Sequence, residues 1–168
     1  MPWEINGFLS TNVVVEFNGV QSAPIPIAVQ AQAPGLFTAN SQGTAQLSAI
    51  NQNGTYNGAS GSGIQPAPQG SVISVYGTGG GQTTPPGTTG SITRIPSSPA
   101  GLLNITGATA TIGGQPATVQ FAGAAPGLVT GVLQMNIVVP MGVTGNNVPV
   151  TISINGTSTT RVTTIAVQ

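Results

Sequence analysis

The stretch from residue 148 to residue 167, VPVTISINGTSTTRVTTIAV, decides the fold class of this chain. Valine and isoleucine alternate with polar residues over 148–154, which is typical of a half-buried β-strand. Asn155-Gly156 follows at once, and Asn-Gly between two such runs is one of the strongest short signals for a β-hairpin. The run 161–167 is then the returning strand, so we predict that the chain closes with an antiparallel hairpin.

The rest of the chain repeats this pattern of short alternating or apolar runs separated by Asn-Gly, Gly-Gly and proline. The clearest runs cover residues 13–17, 25–29, 36–38, 44–50, 71–76, 108–112, 117–121 and 132–139. No segment has the period of an amphipathic helix. Strands at this spacing predict an all-β fold, an antiparallel β-sandwich. The Gly/Thr/Pro-rich segment 77–90 is predicted to be an exposed, flexible loop because it has neither an apolar pattern nor the lysine of a phosphate-binding loop.

The charge content excludes several classes of protein. The chain has two Lys+Arg, two Asp+Glu, no His and no Cys, so 2% of its residues are charged, against about 25% in typical soluble domains. General acid–base catalysis, hydroxyl activation and transition-metal sites need His, Cys, Lys or a tuned carboxylate. Only Glu4 and Glu16 remain, and two distant arginines form no phosphate-binding patch. We therefore expect no enzyme activity, no metal, no cofactor and no nucleic acid partner.

The hydropathy pattern gives no sign of a membrane span, because no stretch approaches 18 consecutive apolar residues. The first residues also lack the charged region and apolar core of a secretion signal. If the protein is exported, the chain is expected to be a mature form.

The start of the chain resembles its end. Asn18-Gly19 matches Asn155-Gly156, the sequence IAVQ occurs at both 27–30 and 165–168, and Met1-Pro2 matches Val139-Pro140. We interpret residues 1–30 as a second copy of the closing hairpin of a β-sandwich, without the earlier strands of that sandwich. Chance similarity between two Val- and Thr-rich hairpins is the alternative.

Two resemblances follow from longer segments. Residues 68–168 resemble an immunoglobulin-like domain of the IPT/TIG kind, on the segments GSVISVYGTGG, ATIGGQPATVQF and VVPMGVTGNNVPVTISING. The whole chain resembles the uncharacterised C-terminal domain family of large secreted acidobacterial proteins, on MPWEI, NVVVEFNGVQS, APGLFT, SAINQNGTYN and LQMNIVVP. The resemblance implies a secreted, all-β protein without known chemistry.

The expected organisation is an immunoglobulin-like β-sandwich preceded by a smaller β module. The module covers residues 1–67 and includes the hairpin 11–29 and a linker-like segment 51–67. The sandwich covers residues 68–168.

A β-rich surface without lysine lacks the usual protection of sheet edges against pairing with another chain. Together with the hairpin near the N-terminus, this predicts an extracellular or cell-surface structural protein that binds copies of itself head to tail by β-strand complementation. The predicted subunit contacts are Trp3, Val13, Val15, Phe17, Ile25, Ile27 and Val29.

Two other functions stay open. The chain is alternatively a monomeric spacer or stalk module of a larger secreted protein, or a glycan-binding or adhesion module in which Trp3 and Tyr56 are the aromatic candidates. Three N-glycosylation patterns begin at Asn53, Asn104 and Asn155. In a chain this rich in Asn and Thr, coincidence is the simpler reading of those patterns.

Overall fold

The computed structural model describes residues 3–168 and is nearly all β. Met1 and Pro2, which belong to the predicted N-terminal module and to the repeat match, lie outside the described residues. The strands are β1 (Ser10–Val13), β2 (Glu16–Phe17), β3 (Val20–Gln21), β4 (Ile25–Ala28), β5 (Gly35–Leu36), β6 (Ala45–Gln46), β7 (Ala49–Asn51), β8 (Tyr56–Asn57), β9 (Ile64–Gln65), β10 (Val72–Thr78), β11 (Ala108–Ile112), β12 (Gln115–Ala117), β13 (Val119–Ala124), β14 (Leu133–Val138), β15 (Gly145–Ile154), β16 (Thr157–Ser158) and β17 (Thr163–Val167). Two single 3₁₀ turns cover Trp3–Ile5 and Pro99–Gly101.

Two larger sheets form the body of the protein. The first has the order β13-β14-β10-β7-β8-β9, with β5 also paired to β10, and the second has the order β12-β11-β15-β17-β6, with β16 paired to β15. Alternate side chains of β10, β14 and β15 are buried, as the sequence patterns predict. These inward side chains of both sheets form one apolar core, which confirms the predicted all-β sandwich. Its largest fully buried members include Ile73, Met135, Ile137, Ile152 and Ile165.

Strands from both sides of the predicted boundary at residue 67 pair in the same sheets. β5 and β7 are antiparallel neighbours of β10, and β6 pairs in parallel with β17. Residues 35–65 therefore extend the sandwich and do not form a sheet of their own. Among the described residues before position 68, only the strands β1 to β4 pair solely with one another.

The segment 51–67 differs from the predicted linker, because buried amides hold it on the body. The Asn57 side chain donates to Asn51 Oδ1 at 3.0 Å and to the Ala166 carbonyl oxygen at 2.9 Å. Its own Oδ1 accepts from the Ala166 N–H at 2.9 Å and from Gln46 Nε2 at 2.9 Å. This network covers the outer side of β17, and all five residues of that strand are buried.

The glycine-rich segment 77–90 also differs from the predicted exposed loop. Gly77, Gly80 and Thr83 are buried. A β-carbon on Gly79 would lie 1.9 Å from the Ala33 carbonyl oxygen, so the backbones approach closely only because glycine has no side chain there. The first half of this segment is therefore packed against the chain that follows β4.

Candidate functional site

Residues 9–29 form a two-stranded ribbon that we call the arm. β1 pairs with β4 and β2 with β3, both antiparallel, in the registers Val13↔Ile25 and Phe17↔Val20. Between the two ladders the Ser22 N–H donates to the Val15 carbonyl oxygen at 2.9 Å, and the returning strand has one extra residue between Ser22 and Ile25. The hairpin predicted around Asn18-Gly19 is thus confirmed.

Alternation along the arm places its apolar side chains on one face. Directly opposed residues of an antiparallel pair share a face, so Val13 and Ile25 lie on the same side as Phe17 and Val20. We call this side the apolar face. It consists of Leu9, Thr11, Val13, Val15, Phe17, Val20, Ser22, Ile25, Ile27 and Val29.

The apolar face is not covered by the body of the protein. Every strand residue of the arm is exposed except Thr11, which is half-buried. Near the tip, Phe17 is 75% exposed and Val20 is 74% exposed, and even Val13, nearer the root, is 39% exposed. Isolated two-stranded ribbons are marginally stable in water, and contiguous exposed apolar patches mark interaction sites.

The closing hairpin of the sandwich, β15 to β17, repeats the arm with the opposite burial. Asn18 and Asn155 have φ of 49° and 48°, and the glycines that follow have φ of 78° and 83°, so the two turns have the same backbone geometry. Aligned on this turn, Val15 and Phe17 correspond to Ile152 and Ile154. Those two isoleucines have no exposed surface, because the first sheet covers them.

The root of the arm is tied to the body by the N-terminal turn. The Trp3 N–H donates to Thr89 Oγ1 at 2.8 Å, and the Thr89 hydroxyl donates to Glu4 Oε2 at 2.7 Å. This hydroxyl lowers the pKa of the exposed Glu4 carboxyl below its usual value, since it stabilises the ionised form. A β-carbon on Gly87 would lie 2.8 Å from the Trp3 ring, so the indole packs directly on that glycine.

The structure brings most of the predicted contact residues together. Val13, Val15, Phe17, Ile25 and Ile27 are exposed on the apolar face, and Val29 is half-buried at its root. Trp3 is half-buried beside the root and does not belong to the face. The prediction omitted Leu9 and Val20, although the alternation from Leu9 to Phe17 is visible in the sequence.

The other candidate residues lie apart from the arm. Tyr56 is exposed on β8. Asn53 Oδ1 accepts from the Thr55 N–H and hydroxyl, at 3.1 and 2.7 Å. Asn104 and Asn155 are both exposed, and the backbone N–H of Asn155 donates to the Gly107 carbonyl oxygen at 3.0 Å.

Comparisons with known proteins found no match: no family model matches the chain, and neither do curated proteins or solved structures. Among residues 3–168, no helix has the length and hydropathy that crossing a bilayer requires.

Proposed function

We propose that this protein is a non-catalytic structural subunit of an extracellular filament or surface layer, in which the arm of one copy adds to a β-sheet of the next. The observation that carries the proposal is the uncovered apolar face of the arm. Its side chains are of the kind that β-sandwiches bury, and the closing hairpin buries Ile152 and Ile154, the counterparts of Val15 and Phe17.

The energetics favour a partner that covers this face. Covering an exposed valine, isoleucine or phenylalanine side chain is worth about 1.5–3 kcal/mol. The six candidates are between 39% and 75% exposed, so each contributes only part of that value, and together they still reach the cost of association, roughly 4–15 kcal/mol. The face offers enough of them: Val13, Val15, Phe17, Val20, Ile25 and Ile27.

The contact would be head to tail. The arm is a ribbon, whereas the body is a two-sheet sandwich, so an arm bound to a body joins two different surfaces. Heterologous contacts of this kind propagate into fibres unless the rotation between copies closes a ring. With only two acidic and two basic residues per chain, little ionic repulsion opposes such packing.

The scarcity of chemically active side chains supports a structural role. Without His, Cys, Lys or Asp, the chain offers neither a general base for its many hydroxyls nor a thiolate nucleophile. Its two carboxylates occupy exposed positions in the N-terminal turn and on β2.

A pair of charge substitutions on the arm tests the assembly. Val15→Lys with Phe17→Lys places two charges on the apolar face, whereas Ser10→Lys with Asn12→Lys is the matched control with two charges on the opposite face. Light scattering after size-exclusion chromatography and negative-stain electron microscopy, at micromolar concentration, are the measurements. We expect the unchanged chain and the control to form polymers and the double variant to be monomeric. A monomeric unchanged chain, or a double variant that polymerises equally well, contradicts the proposal.

The correspondence between the arm and the closing hairpin favours one second candidate, a spacer module within a larger secreted protein. A hairpin that copies the end of a sandwich suits a row of similar β units along one polypeptide. In that case the isolated chain is monomeric at every concentration, and its arm amides exchange hydrogen with solvent rapidly.

A further inference from the structure

A cavity of about 480 Å³ lies beside the root of the arm. The N-terminal turn supplies Trp3 and Phe8 to its wall, and the arm supplies Leu9 and Val29. The glycine-rich segment 79–81 also lines it. Its volume falls in the range of small-molecule sites in proteins, roughly 300–1,000 Å³.

Backbone contacts hold the glycine-rich segment 79–81 in place. The Ala33 N–H donates to the Gly79 carbonyl oxygen at 2.9 Å. A β-carbon on Gly81 would lie 2.6 Å from the Ala31 carbonyl oxygen, so neither glycine leaves space for a side chain. Two of the segments that line the cavity, the packed glycine-rich backbone and the anchored N-terminal turn, are therefore held in place.

The lining is uncharged and mixes aromatic surface with amides. Beside Trp3 and Phe8, the polar side chains are those of Asn6, Gln30, Gln32, Thr78 and Gln82. No side chain that lines the cavity in residues 3–168 is charged, so the cavity offers no ion pair to a phosphate, a carboxylate or an amine. A ligand that fits needs an apolar face for the rings and several neutral hydrogen-bonding groups for the amides.

We infer that this cavity binds a neutral saccharide. The C–H face of a sugar ring would pack on the aromatic side chains, and its hydroxyl groups would exchange hydrogen bonds with the amides of the lining. The cavity shares Leu9 and Val29 with the root of the apolar face, whereas its aromatic and amide side chains lie outside that face.

Tryptophan fluorescence tests the inference directly, because Trp3 is the single tryptophan of the chain. The full-length protein is titrated with a panel of neutral mono- and disaccharides and with uronic acids as charged counterparts. We expect a saturable change in Trp3 emission with at least one neutral sugar and a weaker response to its charged counterpart.

Two variants test whether the sugar binds in the cavity. Phe8→Ala removes an exposed aromatic ring of the lining and is expected to raise the Kd about tenfold. Tyr56→Ala removes an exposed aromatic ring away from the cavity and is expected to leave the Kd unchanged. An equal effect of both variants overturns the inference.

Two further outcomes also overturn it. One is the absence of any saturable change over the whole panel, together with an empty glycan array. The other is a change in Trp3 emission that depends on protein concentration alone, since this would show that a second copy occupies the cavity. The second outcome would support the proposed assembly while removing the saccharide site.

Discussion

Gly79 is the residue on which the packing of the N-terminal segment most depends. Its φ is 75°, and a β-carbon would lie 1.9 Å from the Ala33 carbonyl oxygen. Gly54 has a similar φ of 84°, but nothing lies within 4 Å of the β-carbon position. Substituting Gly54 by alanine therefore measures the cost of the left-handed backbone alone, whereas the same substitution at Gly79 adds the cost of a steric clash.

We expect Gly79→Ala to destabilise the protein by about 3 kcal/mol, because the backbones must move apart. Gly54→Ala should cost only about 1 kcal/mol, which is the price of the left-handed conformation alone. Urea unfolding of both variants measures the difference. Equal midpoints would mean that residues 31–33 are not held against this loop.

Asn57 is the buried polar residue with the most partners in the network over β17. Asn57→Leu leaves the Ala166 N–H without its acceptor and Asn51 Oδ1 without its donor, and each unsatisfied buried group costs about 1–3 kcal/mol. The Ala166 carbonyl oxygen keeps the hydrogen bond from the Ala67 N–H. We expect a loss of about 3 kcal/mol in the free energy of unfolding. Asn53→Ala, an exposed change in the same segment, is the control and should cost less than about 1 kcal/mol. If the two variants unfold at the same urea concentration, the network does not stabilise the fold.

The arm and the closing hairpin contain the same Asn-Gly turn, but the strands of the arm are exposed whereas those of the closing hairpin are part of the core. Gly19 and Gly156 both have positive φ, and both have open space at the β-carbon position. Only Gly156 lies in a hairpin whose strands are part of the core.

We expect Gly156→Ala to lower the Tm by about 2–4 °C, since about 1 kcal/mol of strain enters the cooperative unit. Gly19→Ala should leave the Tm of the body unchanged, because the arm contributes little to the core. Differential scanning calorimetry at low protein concentration gives both values. A similar drop for Gly19→Ala would show that the arm unfolds together with the sandwich.

Local sequence signals predicted the turns of the hairpins, but they did not predict where the chain leaves a hairpin and crosses to the other sheet. Gly113-Gly114 between the runs 108–112 and 117–121 predicts that these two runs pair as a hairpin. In the structure β12 ends at Ala117, and β13 begins at Val119 in the other sheet. A register shift between Val119 and Phe121 accompanies this change of sheet. Alternation marks a strand, but it does not say which sheet the strand joins, because both sheets offer an apolar side to the same core.

For the whole molecule, the small number of titratable groups predicts stability that varies little with pH. The pKa of Glu4 is lowered in the folded state, so its small contribution is present above the ordinary carboxyl pKa and disappears as the pH falls through the lowered value. Burial raises the pKa of Tyr76, so its contribution is present below the ordinary tyrosine pKa and disappears as the pH rises through the raised value.

We therefore expect a nearly constant Tm from about pH 5 to about pH 9, with a decline above about pH 10 as Tyr76 ionises. Circular dichroism melts from about pH 3 to about pH 12 are the measurement. Tyr76→Phe is the control and should remove the alkaline decline. A sharp unfolding transition between about pH 3 and about pH 6 would contradict the expectation, since Glu4 is exposed and nothing else is expected to drive it.

The sequence by itself determined the all-β class, the Asn-Gly hairpins and the apolar alternation of the arm, because these features depend on side-chain period and turn chemistry within a few residues. The tertiary structure decided that residues 35–65 join both sheets, that the amides of Asn51 and Asn57 cover β17, and that the glycine-rich loop is packed. It also decided that Phe17 is exposed whereas its counterpart Ile154 is buried. The two hairpins have nearly the same local signals, and burial depends on whether another sheet lies above the strand, which no short stretch of sequence encodes.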